Sequence, residues 1–266
     1  MLTQPIKWYG GKHYLAKRIV ALMPPHVHYV EPYAGGLSVL LAKDPVGVSE
    51  TVNDIHVGLT NFWRVLQNES SFALFQRQVE AMPFSQPEWN AARRYSPKKN
   101  RDVEAAVAFF VRCRQSWAGK GKEFAALSKS RTRRGMNEQV SAWLTAVEGL
   151  PAIALRIKRV AILCDDAIDV IRRHDSPMTL FYLDPTYLHE TRVSTEDFEH
   201  EMTRKQHVKM LNAILRCKGK VMLSGYPNGL YEKKLREWRR ADFKIDNKAS
   251  AAKVKPIKTE RLWMNY

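Results

Sequence analysis

Leu180-Phe181-Tyr182-Leu183-Asp184-Pro185-Thr186-Tyr187 is the stretch on which the fold turns. Four apolar residues without polar alternation suit a strand covered on both faces, as in a parallel sheet with helices on either side. Pro185 lacks the N–H that a ladder needs, so it ends the strand and stiffens the turn behind it. Asp184 is thereby expected at a strand's carboxyl end, the edge of an open α/β sheet where ligands bind. A carboxylate, a freed carbonyl and a ring converge there. The trio suits a planar base carrying an exocyclic amine: the carboxylate and the Asp184 or Pro185 carbonyl accept the amine's N–H bonds while Tyr187 stacks on the ring. An ordinary strand-to-turn junction also produces Asp-Pro, so the tetrapeptide alone does not decide.

Outward from this stretch the strand-to-helix alternation repeats. Tyr29-Val30-Glu31 leads through Gly35-Gly36 into Leu37 to Ala42, and the β-prone run Gly47 to Val52 leads into Asn53-Asp54-Ile55, which opens a helix through about Leu66. Val160 to Cys164 reads as a strand, followed by a short helix with Ile168 and Ile171. A helix with His207, Met210, Leu211, Ile214 and Leu215 on one face precedes the strand Lys220 to Ser224. Such alternation implies a mostly parallel α/β sheet with helices on both sides. Phe243 to Asp246 and Arg261 to Asn265 can close it as an antiparallel hairpin, with Lys248 to Lys258 as connector. Between residues 61 and 154 the character is helical: Phe72, Leu74, Phe75, Val79 and Met82 recur at helical spacing, Pro87 can begin another helix, and Val107, Phe110 and Val111 form a stripe. The expected organisation is therefore one domain built from residues 1–60 and 155–266, interrupted by a mainly helical insert, 61–154.

The 266 residues are 45% hydrophobic and carry a formal net charge of +16, with a sequence pI near 9.8. That balance points to a polyanionic partner, nucleic acid before membrane. Residues 91–160 hold 16 Lys and Arg against 5 acids, about two thirds of the whole excess. A charge run is usually a solvated face, but this concentration favours phosphate contact. Cys113, Cys164 and Cys217 form no CxxC pair, and the histidines form no HExxH, so neither zinc nor a disulfide framework is expected. With no charged start ahead of a long apolar segment and no run of 18 apolar residues, the expectation is a cytoplasmic chain.

The loop Glu31-Pro32-Tyr33-Ala34-Gly35-Gly36 offers close backbone approach and N–H groups at a helix start. Asp54 follows about 20 residues on, where nucleotide-binding α/β folds hydrogen-bond ribose hydroxyls. The GxGxxG fingerprint is missing, which argues against NAD and leaves other adenosine-bearing cofactors open.

Six motifs stand in order: Lys7-Trp8-Tyr9-Gly10-Gly11-Lys12, Glu31 to Gly36, Asn53-Asp54-Ile55, Tyr182 to Tyr187, Met222-Leu223-Ser224-Gly225-Tyr226, and Glu260 to Tyr266. Together, over nearly the whole chain, they resemble the Dam-type DNA adenine-N6 methyltransferases of bacteria and their phages. The resemblance implies a Rossmann-like, S-adenosylmethionine-dependent domain interrupted by a helical target-recognition domain that binds double-stranded DNA. It implies that Trp8 and Lys12 lie at the cofactor, that Glu31, Pro32, Tyr33, Gly35 and Gly36 form its methionine-side loop, that Asp54 binds the ribose, and that Asp165 or Asp166 approaches its adenine. Asp184, Pro185 and Tyr187 would hold a flipped adenine, with Asp184 also beside the cofactor. Arg112, Arg114, Lys120, Lys122, Arg131, Arg133 and Arg134 fall where the family reads its DNA. No metal is expected; a monomer or weak dimer is.

The chain departs from the family at two positions: Leu37 stands for a glycine, and Thr186 for the second proline of Asp-Pro-Pro-Tyr. Leu37 is expected to tighten the cofactor pocket, whereas Thr186 leaves carboxylate, carbonyl and ring in place. Cytosine-N4 or RNA adenine methylation would use the same amine chemistry, and a nucleic-acid-binding protein with a decayed methylase site is the reading from another class. Cytosine-C5 chemistry requires a nucleophilic thiol, which its family places after a proline; no cysteine here follows one.

Overall fold

The computed structural model describes residues 2–95, 101–191, 200–246 and 257–266. In chain order the first elements are α1 (Ala16–Val20), β1 (His28–Glu31), α2 (Ser38–Ala42), β2 (Ser49–Asn53) and α3 (Val57–Gln67). Then come α4 (Glu69–Ala81), α5 (Gln86–Ala92), α6 (Val103–Gln115), β3 (Thr132–Arg133), β4 (Met136–Asn137), α7 (Glu138–Glu148) and α8 (Leu150–Ile157). The rest are β5 (Val160–Leu163), α9 (Ala167–His174), β6 (Thr179–Leu183), α10 (Arg204–Ile214), β7 (Lys220–Gly225), α11 (Gly229–Lys234), β8 (Arg239–Asp246) and β9 (Ile257–Met264).

These elements group into two compact units. The sheet unit comprises Met23–Ala34, Pro45–Ile55 and Leu163–Tyr266; the helical unit comprises Met1–Leu22, Gly35–Asp44 and His56–Ile162. The strands form a seven-stranded mixed sheet in the order β5-β2-β1-β6-β7-β9-β8. β1 runs parallel to both β2 and β6, and β6 parallel to β7, while β9 is antiparallel to β7 and to β8. The expected parallel sheet with a C-terminal antiparallel hairpin is thus present. The chain leaves β1 on one side for β2 and returns on the other at β6, which makes the β1/β6 boundary a topological switch point.

Every residue of β6 is buried, as the unbroken apolar run required. Phe181, Leu183, Val221 and Leu223 from the strands pack with Val170, Met210, Leu211 and Trp263 in one core. Thr203 and Gln206 form a capping box that starts α10. The face expected on that helix holds for His207, Met210, Leu211 and Ile214; Leu215 lies past the last turn and is exposed. The helix expected to open at Asn53 begins instead at Val57. Asn53 completes β2, and the His56 ring accepts the Leu59 N–H at 3.1 Å as the true cap. Most of the connector expected at Lys248 to Lys258 lies outside the described residues.

The helical unit is organised around aromatic rings. Phe62 stacks on Phe110 at 6.0 Å, and Phe110 also meets Phe75 and Trp143 edge-on or tilted. Helix α6 buries all of Ala105 to Val111, so the expected stripe of Val107, Phe110 and Val111 belongs to a segment enclosed on every side. On α4, Phe75 and Val79 point inward but Leu74 is exposed, because it sits a quarter-turn off the buried line. Two side chains explain why Gly35–Asp44 joins this unit rather than staying with β1: Trp63 Nε1 donates to Gly35 O at 3.2 Å, and Arg156 donates to Leu40 O at 3.1 Å. No single helix among the described residues is long and apolar enough to cross a membrane.

Candidate active site

In the sheet unit, β6 ends at Leu183 and delivers Asp184 just beyond the sheet. Ser224, at the matching level of β7, donates to Asp184 Oδ1 at 2.7 Å, and its Oγ also lies 3.3 Å from the Leu183 carbonyl. The single Tyr187 hydroxyl proton is shared between the same oxygen, Asp184 Oδ1 at 3.2 Å, and Glu260 Oε1 on β9. Two hydroxyls therefore fix the plane of the Asp184 carboxylate. Burial, followed by the negative fields of Asp184 and Glu260, holds the Tyr187 phenol well above its ordinary pKa, so it remains a donor at neutral pH. Tyr182 is likewise pushed well up by burial and by Asp184, and its hydroxyl sits 3.4 Å from Ser224 Oγ. Pro185 is buried, and the Tyr187 ring meets Tyr226 edge-to-face at 4.8 Å and 72°. Thr186 has a use that a proline could not supply: its Oγ1 accepts the Met202 N–H at 3.0 Å and ties down the chain ahead of α10.

Across the switch point, β1 ends in Glu31, 2% exposed, whose Oε1 accepts the Tyr29 hydroxyl at 2.6 Å. Asn53 joins the carboxyl ends of three strands: its Nδ2 donates to Pro32 O and Asp165 O, both at 3.0 Å, and its Oδ1 accepts Asp165 N at 2.8 Å. This clamp places half-buried Asp54 beside the Asp165-Asp166 turn. Burial and the fields of Asp166 and Asp54 raise the Tyr33 hydroxyl well above its usual pKa. The two acids after β5 are already engaged, since Asp166 caps α9 through the Ile168 N–H at 2.8 Å and Asp165 pairs with Arg173.

In the helical unit, the glycines of the first two motifs make room for Trp8. A Cβ on Gly35, whose φ is +48°, would stand 2.7 Å from Trp8 Nε1; one on Gly36 would stand 2.9 Å from Trp8 Cβ. Lys12 is buried and donates to Gly10 O at 2.9 Å. Leu37 occupies the left-handed region at φ +57° as the cap of α2, and is 1% exposed. A glycine there would be unstrained, whereas an L-residue costs roughly 1–2 kcal/mol that burial of the Leu37 side chain offsets.

The seven basic candidates separate. Arg133 and Arg134 sit on an exposed two-residue hairpin between β3 and β4, whose turn residues Arg134 and Gly135 both have positive φ. Arg134 is paired with Glu148 at 2.9 Å, and Arg131 with Glu138 at 3.1 Å, while Lys122 is exposed. Lys120 lies over the rings of Tyr9 and Trp117, at 4.4 and 5.6 Å, and Arg112 lies over Phe109. Arg114 turns inward: it donates to Ala142 O at 2.5 Å, and desolvation lowers its pKa to about 10.

Asn53, Ser224 and Glu260 stand inside the motifs, but no local pattern marks what they do. Their partners lie 112, 40 and 73 positions away, so only the sheet register could reveal them.

Known proteins include relatives of this chain. The chain is 27% identical over 239 residues to the DNA N-6-adenine-methyltransferase of Escherichia phage P1, covering 84% of this chain but 30% of that protein. It is 22% identical over 249 residues to the Type II methyltransferase M.CviBI of Paramecium bursaria Chlorella virus NC1A, covering 87% of this chain and 90% of that one. The chain thus spans about a third of the phage relative and nearly all of the viral one. Residues 8–253, which hold the motif series except Lys7 and the last motif, match one family, and the chain belongs to the D12 class N6 adenine-specific DNA methyltransferases.

Proposed function

We propose that this chain transfers a methyl group from S-adenosylmethionine to N6 of an adenine extruded from duplex DNA. The observation that carries the reading is Asp184, held on one oxygen by Ser224 and Tyr187 at the carboxyl end of β6, beside the switch point. Adenine N6 is a poor nucleophile because its lone pair is delocalised into the ring. Catalysis must therefore act on the amine. Asp184 and the Pro185 carbonyl accept its two N–H bonds, which favours a pyramidal nitrogen and aims its lone pair; alignment of this kind is worth about 7–11 kcal/mol in favourable cases. Tyr187 stacks on the base and, with phosphate contacts, offsets the few kcal/mol of unstacking.

The donor set past β1 and β2 fits the cofactor: half-buried Asp54 offers two oxygens to a ribose diol, and Glu31, Pro32 and Tyr33 line the loop that would take the methionine side. When bound, S-adenosylmethionine supplies an electrophilic methyl group. Trp8, Lys12, Gly35 and Gly36 are assigned to the cofactor, Asp165 or Asp166 to its adenine, on the family resemblance. For DNA we assign the exposed hairpin with Arg131, Arg133 and Arg134, together with Arg112, Lys120 and Lys122. Arg114, tied to α7, serves this face by holding it in shape.

Plasmid incubated with labelled cofactor and then mapped for modified bases tests the reading. N6-methyladenine at a fixed word is the expected result, and Asp184→Ala should abolish it while DNA and cofactor still bind. A product methylated at cytosine, or an Asp184→Ala variant at wild-type rate, refutes it.

A further inference from the structure

We propose that Glu260 is a positioning residue of the transfer site, holding the Tyr187 hydroxyl so that the ring keeps the plane a flipped base requires; the inference rests on the adenine-N6 reading above. Glu260 is 3% exposed on β9, and a carboxylate is withdrawn from water to that degree at a penalty unless a hydrogen bond compensates it. Its Oε1 accepts the Tyr187 hydroxyl.

The register explains how a residue so near the chain's end arrives there. Ser224 is opposite Leu262, and Leu183 is opposite Leu223, so Glu260 lies two residues beyond the Ser224 level, in the direction in which the chain runs past the end of β6. Glu260, Leu262 and Met264 share one face of β9, and the latter two are 1% and 0% exposed. The same alternation that buries these apolar side chains carries the acid inward. Pairing with β8, Phe243 opposite Glu260, fixes its height from the other edge.

A tyrosine ring rotates about two torsions, and three contacts hold this one: Tyr226 against its edge, Asp184 Oδ1 and Glu260 Oε1 at its hydroxyl. Asp184 must also grip the substrate amine. Glu260 is not assigned to the substrate amine, so it can keep the phenol in place while Asp184 engages the base. The C-terminal hairpin thereby serves the chemistry and does more than close the sheet.

The test uses the full chain as wild type, Glu260→Ala, Glu260→Gln, Tyr187→Phe and the double variant Tyr187→Phe/Glu260→Ala. Single-turnover methyl transfer is measured on duplex DNA, together with cofactor and DNA affinities and the emission of 2-aminopurine placed at the target adenine. Glu260→Ala should slow transfer by roughly 10- to 100-fold, the size of effect that misplacement of a reacting group produces, with both affinities within a few-fold of wild type. Its 2-aminopurine should emit more strongly, because the ring no longer stacks squarely on the base. Glu260→Gln, whose amide oxygen still accepts the hydroxyl, should recover most of the rate. Tyr187→Phe should be slow, and adding Glu260→Ala to it should cost nothing further. An active wild type with Tyr187→Phe or Glu260→Ala at full rate, or with additive losses in the double variant, overturns this inference alone. Should Glu260→Ala fail to fold, Tyr187→Phe against Glu260→Gln still decides. A wild type that methylates no duplex overturns the functional reading and this inference with it.

Discussion

Replacing Ser224 by alanine isolates what the fold does to Asp184. Ser224 is 1% exposed and its Oγ lies 2.7 Å from Asp184 Oδ1, so the substitution removes one of the two hydroxyls that orient the carboxylate while leaving the strand intact. A hydrogen bond to a charged group contributes about 1.5–3 kcal/mol. If all of it serves to align the amine at the transition state, the rate of methyl transfer falls by roughly 10- to 150-fold at 1.36 kcal/mol per factor of ten. Loss of the hydroxyl also takes a partner from Tyr182, 3.4 Å away, so thermal stability should fall by about 1 kcal/mol. Affinities for cofactor and DNA should stay within a few-fold, because Ser224 is assigned to neither. The assay is single-turnover transfer of a labelled methyl group on a plasmid whose modified word has been mapped, beside a thermal melt. A variant with wild-type turnover and a lowered melting point would show that the Ser224 hydroxyl is structural only, and that the orientation of Asp184 is set without it.

Three further outcomes follow from the structure. Changing Arg133 and Arg134 together to Ala should weaken DNA binding and flatten its salt dependence by about one unit of slope per lost phosphate contact; an unchanged slope removes the hairpin from the interface. Asn53→Ala strips three hydrogen bonds from the ends of β1, β2 and the β5–α9 turn, and should destabilise the fold by roughly 2–4 kcal/mol in denaturant titration, since each bond contributes about 0.5–1.5 kcal/mol, and weaken cofactor binding. His28 and His174, with rings 5.2 Å apart, both titrate below the usual 6.5, each chiefly through burial, His28 further through His174 and His174 through Arg173. A lowered folded pKa means that the unfolded chain binds more protons as acidity rises, so this stability is complete above pH 6.5 and is lost as pH falls below it. His174→Gln should reduce that acid-side loss in urea unfolding across mildly acidic pH; an unaltered pH dependence would count against the pair.

Much of the sheet was legible because burial on both faces writes itself as an unbroken apolar run, and β6 and β7 are such runs. The proline after Asp184 fixed where the first of them ends. The division into units was less legible, because it depends on long-range bonds such as Trp63 to Gly35 and Arg156 to Leu40, between residues 28 and 116 positions apart. Periodicity speaks only of neighbours along the chain. The same limit applies to the basic residues: Arg112, Arg114 and Arg134 are equal charges in sequence, yet one lies on a ring, one is turned into α7 and one stands on a hairpin tip paired to Glu148.

The candidate site divides along the same line. Asp184 could be found because its strand, its proline and its aromatic are adjacent in sequence; the groups that govern it could not. Ser224 and Glu260 come from β7 and β9, and both meet Asp184 or Tyr187 only because parallel and antiparallel registers bring their levels together past one end of the sheet. A one-residue slip of β9 would turn Glu260 to the opposite face and drive Leu262 and Met264 into the side where Trp263, 0% exposed, packs. Packing of those two side chains, 1% and 0% exposed, therefore guards the register that places the acid. Sequence locates the group we assign to the substrate amine, whereas the sheet decides how that group is held, and substitutions in the C-terminal hairpin should accordingly alter turnover before they alter binding.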